Sequence, residues 1–360
     1  MADSDSLIDF VASVSGDSFL KVEEDLGDGY VRLRISEAER RQAKHDIRGV
    51  EDVAVELLRN ARDAHAQRIF VASHREGDTR ALTVIDDGLG IPESLQERIF
   101  EPRVTSKLET MVMDQWGVHG RGMALFSIRS NATSAGIATS DLHKGTSVRV
   151  VTDAAELSER ADQSTWPTVD RDETGRLVVV RGPHNIVRRV VEFSVENPGI
   201  DVYLGSPAEI VATLVSVARR SLDSSELLFA DLGRLCVWQR PAGASDAADL
   251  VAVAQELGMA ISERTAHRIL NGEVLPVFSA LDSVSGTTPV RASETTASAD
   301  IYKDRRGLKI HHTDLADFRR DLQKAFDVIS ERYYLHLKCE PRIAVGRDEI
   351  RVRFDVEKDD

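Results

Sequence analysis

Residues 1–152 predict a mixed α/β fold, and three observations carry that expectation. Between Glu51 and Ala66 the apolar residues Val53, Val55, Leu57, Leu58 and Ala61 recur at helical spacing, so one helix face can pack on a sheet. Alternating runs at Ile69–Ser73, Ala81–Ile85, Ala135–Thr139 and Thr146–Val151 read as strands, the first two forming a hairpin through Arg75-Glu-Gly-Asp78. Two glycine-bearing turns, Asp86-Asp-Gly88-Leu-Gly90 and Gly117-Val-His-Gly120-Arg-Gly122, separate these elements.

The bulk numbers narrow the class further. With 360 residues, 42% hydrophobic and 29% charged, the chain is long enough for two domains and reads as a globular protein. A net charge of −14 argues against a broad basic surface for nucleic acid, so a role on DNA has to rest on local features. Cys236 and Cys339 stand far apart, with no Cys/His cluster that would suggest zinc or a disulfide framework. The acidic start Met-Ala-Asp-Ser-Asp-Ser carries no basic-then-apolar signal, and no apolar run approaches the roughly 18 residues of a membrane span. A cytoplasmic protein with no membrane partner is expected.

In chain order, Leu7–Val14 is a short apolar helix candidate, and Tyr30–Ile35 an alternating run after an Asp/Gly-rich turn. Ser36 and Glu39 have capping-box spacing before a charged helix. His45-Asp-Ile-Arg looks like a phospho-accepting box, but it lies too close to Glu56 to belong to a separate helical hairpin. On the next helix Glu56, Asn60 and Asp63 fall at i, i+4 and i+7, along one stripe. Asp86 closes the second strand, and Gly88 and Gly90 after it permit close backbone approach and positive φ. The stretch Arg98 to Lys107 precedes a segment without periodicity, and the glycines at 117, 120 and 122 lead into an apolar helix, Met123–Ile128. Amides at such a turn suit an anion. Neither the GxxxxGK[ST] loop nor a dinucleotide fingerprint fits.

Glu56-Leu-Leu-Arg-Asn60-Ala-Arg-Asp63, Asp86-Asp-Gly88-Leu-Gly90, Gly117-Val-His-Gly120-Arg-Gly122 and Lys144-Gly145-Thr146, taken together, resemble the Bergerat nucleotide-binding fold of the GHKL superfamily. That superfamily includes gyrase B, the heat-shock-90 chaperones, histidine kinases and MutL, with the ATP-binding subunit of topoisomerase VI. The resemblance implies an α/β two-layer sandwich over residues 1–152 that binds ATP and Mg²⁺. It implies that Asn60 supplies a side-chain oxygen to Mg²⁺ and that Glu56 activates the attacking water. Asp86 would accept from the adenine amine, with Thr146 helping to hold that end. Asp63, Gly88, Gly90, Lys107, Gly117, Gly120 and Gly122 complete the expected nucleotide site. Histidine kinases typically carry Asn where Glu56 stands, so this carboxylate is similar to the hydrolase branch of MutL and topoisomerase VI. Phe100-Glu-Pro102 resembles the histidine-kinase lid and Thr105-Ser-Lys107 the MutL lid.

Beyond residue 152, a polar stretch to Asp172 reads as a linker, and residues 153–214 as linker plus strand-helix-strand, with a strand at Leu177–Val180, a helix at Asn185–Glu196 and a strand at Gly199–Leu204. Residues 215–360 are expected to form a helical and α+β C-terminal region. Ala208–Ser221 is an amphipathic helix, and Glu226–Gln239 a helix end with a short strand. Asp246–Leu270 reads as two helices broken at Gly258, either a DNA-reading pair or a packed hairpin. Ser283–Ala299 reads as a flexible loop, and Lys303–Lys309 is the most basic run; neither of its terminal lysines aligns with a phosphate-reaching residue. Leu315–Leu337 is a long helix, and Arg342–Val345 with Ile350–Phe354 a hairpin. The expected activity is Mg²⁺-dependent ATP hydrolysis by a lid-gated homodimer, serving DNA or a separate effector chain. The rivals are a histidine-kinase-like protein kinase and a slow nucleotide-gated binding module.

Overall fold

The computed structural model describes residues 22–105, 112–114, 117–119, 122–222, 232–285, 312–333, 335–337, 340–345 and 350–358. Two compact units divide between Val290 and Arg291, so the expected breaks after residues 152 and 214 fall inside the first unit. The helix expected at Leu7–Val14, Lys303–Lys309 and nearly all of the loop expected over Ser283–Ala299 lie outside the described residues.

In the first unit, β1 (Val22–Gly27) and β2 (Tyr30–Leu33) form a hairpin, followed by α1 (Glu37–Asp46), α2 (Val50–Asp63), β3 (Arg68–Glu76) and β4 (Thr79–Asp86). Next come β5 (Val104–Thr105), β6 (Val112–Asp114), β7 (Gly117–His119), α3 (Ala124–Asn131), β8 (Ser134–Asp141) and β9 (Gly145–Asp153). The ribbon β10 (Thr168–Arg171) and β11 (Leu177–Arg181) leads to α4 (Ile186–Glu196), β12 (Asp201–Gly205) and α5 (Pro207–Ser221). A 3₁₀ helix, Val237–Gly243, stands where a short strand is expected, and α6 (Ala247–Glu256), α7 (Glu263–Leu270) and α8 (Ala280–Ser285) follow.

The central sheet has the order β12-β3-β4-β9-β8, antiparallel throughout except for the parallel pair β12/β3. Alternation along the strands sends Ile69, Val71, Leu82, Val84 and Val150 into a core with α2, Ile128 of α3 and α4. Phe70, Ala72 and Ile85 point the other way, into a second core with α5, Trp238, α6 and α7. The α/β sandwich is therefore present, and a further helical layer covers its opposite face.

Local chemistry explains where the helices start. Asn185 caps α4 by accepting from the Arg188 amide at 2.8 Å, Ser206 and Glu209 form a capping box on α5 with Pro207 in its first turn, and Asp246 and Ser262 cap α6 and α7. Such caps contribute about 1 kcal/mol each. Gly49 at the start of α2 has no side chain to offer, and the polar stretch expected as a linker supplies the caps instead. Val50 N–H donates to Ser158 O at 3.0 Å, and Glu51 accepts from Arg160 N–H at 2.9 Å and from Gln163 Nε2 at 2.6 Å. Glu159 pairs with both Arg75 and Arg80 on the β3–β4 hairpin. Residues 153–165 are thus a strap over the unit: though much of the stretch is exposed, Ser158, Glu159, Arg160 and Gln163 tie it to the start of α2 and to the arginines of the β3–β4 hairpin.

The second unit contains α9 (His312–Tyr333) and two antiparallel pairs, β13 (Leu335–Leu337) with β16 (Val356–Lys358) and β14 (Arg342–Val345) with β15 (Ile350–Arg353). Phe326 stacks on Phe354 at 5.2 Å within it. The long helix and the hairpin expected there are both present, the helix ending at Tyr333.

Candidate nucleotide site

A cavity of ≈ 770 Å³ opens between α2, the β4–β9 end of the sheet and the start of α3. Its wall includes Glu56, Asn60 and Asp63 from α2, Asp86 from β4, Gly90 from the turn after it, Gly122, and Thr146 from β9. These seven residues, drawn from four separate motifs, therefore surround one space. Gly88 lies just behind the wall, its N–H donating to Asp86 Oδ1 at 2.8 Å. Gly117 begins β7, while Lys107 and Gly120 lie outside the described residues.

On α2, the apolar stripe that packs on the sheet leaves the stripe of Glu56, Asn60 and Asp63 turned to the cavity. Glu56 forms an ion pair with Arg59, whose side chain is only 5% exposed, so the carboxylate is held within a turn of its own helix. Asn60 Nδ2 is enclosed and has no hydrogen-bond partner. A buried amide left incomplete by the protein is costly, on the order of 1–3 kcal/mol, and fits a position completed by a bound group. Asn60 and Glu56 both line the cavity, and their side chains carry oxygens of the kind a hard divalent cation takes. Among the described residues no cluster of three or more His, Cys, Asp or Glu side chains could hold a metal.

Asp86 is 5% exposed, and burial pushes its carboxyl up to about 7, with the neighbouring Asp87 charge adding to the rise and the Gly88 and Thr146 amides opposing it. Asp86 is thus a buried carboxyl in the cavity wall, held by the Gly88 and Thr146 amides. Asp87 serves the backbone instead: it accepts from the Gln67 and Arg68 amides at 2.7 and 2.8 Å and pins the turn to the start of β3. Gly90 has φ +72°, and a Cβ there would sit 1.9 Å from Asp141 O, so only glycine lets this turn close against the β8–β9 connection.

The stretch opposite is tied at its neck. Arg103 N–H donates to Gly122 O at 2.8 Å, and Gly122 adopts φ +66° with Val104 O only 2.8 Å from where a Cβ would stand. The β1–β2 hairpin fastens the same root: Val31 and Arg32 pair with Thr105 and Val104, and Arg32 and Arg98 bind Glu24.

One residue of this region carries no motif. In register, Asp86 faces Thr146 across β4/β9 and Thr146 faces Ser140 across β9/β8, so three buried polar side chains form a row on one face of the sheet. Ser140 could have been found only by fixing the strand pairing, which a bulge between Ile137 and Thr139 hides from simple counting.

Residues 45–156 match the family of histidine kinase-, DNA gyrase B- and HSP90-like ATPases. They form a GHKL-type ATP-binding domain, a mixed sheet layered with helices. Among solved structures, the nucleotide-free catalytic domain of the histidine kinase ThkA is 19% identical, over 34% of this chain and 70% of that one, with a TM-score of 0.20. Full-length ShkA in complex with AMPPNP is 16% identical over 56% of this chain and 46% of that one, at a TM-score of 0.24. No curated protein matches the chain. Among the described residues no helix is long and apolar enough to cross a membrane.

Proposed function

We propose that the chain is a Mg²⁺-dependent ATPase of the branch that resembles MutL and the ATP-binding subunit of topoisomerase VI. The observation that supports this most is the placement of Glu56 and Asn60 on one stripe of α2 and of buried Asp86 in the wall of the same cavity. Asp86, ionised, accepts from the exocyclic amine of adenine, and Thr146 holds the same edge. Asn60 would hold Mg²⁺ through its side-chain oxygen; when bound, the metal supplies charge neutralisation for the phosphates. Glu56 takes the proton of the attacking water as a general base. Asp63, Lys107 and the glycines at 117, 120 and 122 belong to the phosphate side of the site.

The proposal extends to two copies pairing when nucleotide engages residues 100–122, with a DNA transaction or an effector chain as the client. The fastened neck at Arg103 and Gly122 supports a hinge there. Substitution of Glu56 by Ala is expected to lower steady-state phosphate release by about 10²- to 10³-fold while ATP still binds. Unchanged release with ATP bound would remove the assigned role. Label from γ-labelled ATP appearing on protein instead of as free phosphate would favour a kinase. Sizing with and without a non-hydrolysable ATP analogue tests the pairing.

A further inference from the structure

Glu56 shares its cavity with an excess of acid. Asp46 at the end of α1, Asp52 and Asp63 on α2 and Asp86 on β4 line the same space, and among the described residues of the wall only Arg48 and Arg59 carry positive charge. Arg48 is exposed on the turn before α2, where its N–H donates to Asp52 Oδ2 at 2.9 Å. Arg59 is placed differently: its side chain is buried, and its Nη1 donates to Glu56 Oε1 from the next turn of the same helix.

Neighbouring carboxylates favour the protonated form of a carboxyl, and a guanidinium in contact favours the ionised form. A general base for water has to be ionised at the working pH and aimed at the proton it takes. A guanidinium meets both needs, because its charge persists across the whole working range and its planar fork holds a carboxylate in a fixed direction. A carboxylate offers about four acceptor sites, so the bond at Oε1 does not use up its capacity to accept from a water. Stability is a poor reason for such a pair, since the cost of taking two ions out of water offsets much of their attraction.

We propose that Arg59 is a positioning residue that keeps Glu56 ionised and aimed in a cavity otherwise dominated by carboxylates. It acts through Glu56, so the inference rests on the reading of Glu56 as the general base. The spacing of three residues makes the arrangement local to α2: one turn of helix carries the base, its counter-charge and, at the next position, Asn60.

Phosphate release by the full chain at saturating ATP and Mg²⁺, followed from pH 5.5 to 9, tests it. Saturation keeps the titration of Asp86, which acts on affinity, out of the rate. Arg59→Gln and Arg59→Met both remove the charge, and the second adds no polar group to bury, so the test survives one variant that fails to fold. Each is expected to lower kcat while KM for ATP stays unchanged. The acid limb of the kcat profile is expected to move up by about one to two pH units, so that the loss reaches about tenfold near pH 6 and closes above pH 8. Arg59→Lys keeps a charge and is expected to return the limb toward its original place. A folded neutral variant that binds ATP and keeps the original kcat and acid limb overturns the inference. So does one whose kcat falls equally at every pH, which marks a packing role. If Glu56→Ala leaves phosphate release unchanged in the otherwise unsubstituted chain, the reading of Glu56 fails instead.

Discussion

On the face of the sheet turned to α6 and α7, Thr139, Thr83 and Ser147 donate at 2.6, 3.1 and 2.8 Å to the carbonyls of Glu256, Gly258 and Leu257, and Arg149 also reaches Gly258 O. These carbonyls close the end of α6, so every hydroxyl has an internal partner and the helical layer is fixed to the strands. On the face turned to α2, Asp86 is buried with its carboxyl raised to about 7, and Asn60 Nδ2 across the cavity has no partner. One face of the sheet thus has its polar groups tied to a helix end, while the other borders a cavity with a buried carboxyl and, on the facing helix, an amide nitrogen without a partner. Burial alone does not mark a site; burial with hydrogen-bonding capacity left over does.

The sharpest way to break this contrast is Asp86→Asn. ATP affinity is expected to fall by about 10²-fold, because an acceptor of the adenine amine is replaced by a weaker, neutral one. The empty protein should respond in the opposite direction. Its folded-state carboxyl, at about 7, lies above the ordinary 3.8, so this group's contribution to stability is fully present below pH 3.8 and is lost as pH rises through 7. At about 1.4 kcal/mol per pH unit, the loss above pH 7 is on the order of 4 kcal/mol. Asp86→Asn removes it, so thermal melts at pH 8 should show the ligand-free variant more stable than the parent, with the gap closing at acid pH. A variant that loses both ATP binding and stability at pH 8 would place Asp86 among the completed groups.

A smaller effect follows from the same carboxyl in the unsubstituted protein. The ionised form is the stronger acceptor for the amine, so the dissociation constant for ATP should rise as pH falls below 7, by less than about tenfold per pH unit. Titrations between pH 5.5 and 8 check the direction. The smallest effect belongs to the opposite face. Ser147→Ala, at a fully buried position, strands the Leu257 carbonyl and is expected to cost about 1–3 kcal/mol in denaturant unfolding while ATP affinity stays unchanged.

Helical spacing puts Glu56, Asn60 and Asp63 on one stripe, but it is the resemblance carried by the neighbouring motifs that turns the stripe, with Asp86 and Thr146, toward one expected site; the structure places all five on one cavity. Ser140 is not legible in the sequence, since its place beside Thr146 depends on strand register. The strap escapes for a related reason: a polar composition predicts contact with water, and nothing local reveals that Glu51 and Glu159 take those bonds inside the unit. Nor does a strand run at Asp201–Gly205 announce that it will pair beside Arg68–Ala72, a partnership between distant parts of the chain.

That last partnership bears on where the domain ends. The family resemblance stops at residue 156, yet β12 covers the outer edge of β3, and Phe193 and Val190 fill the core beneath α2. A fragment cut at the end of the recognisable segment would carry a naked edge strand, a half-empty interior and an unravelled start to the helix that bears Glu56. What looks like a portable cassette shares its sheet edge with β12 and its interior with α4.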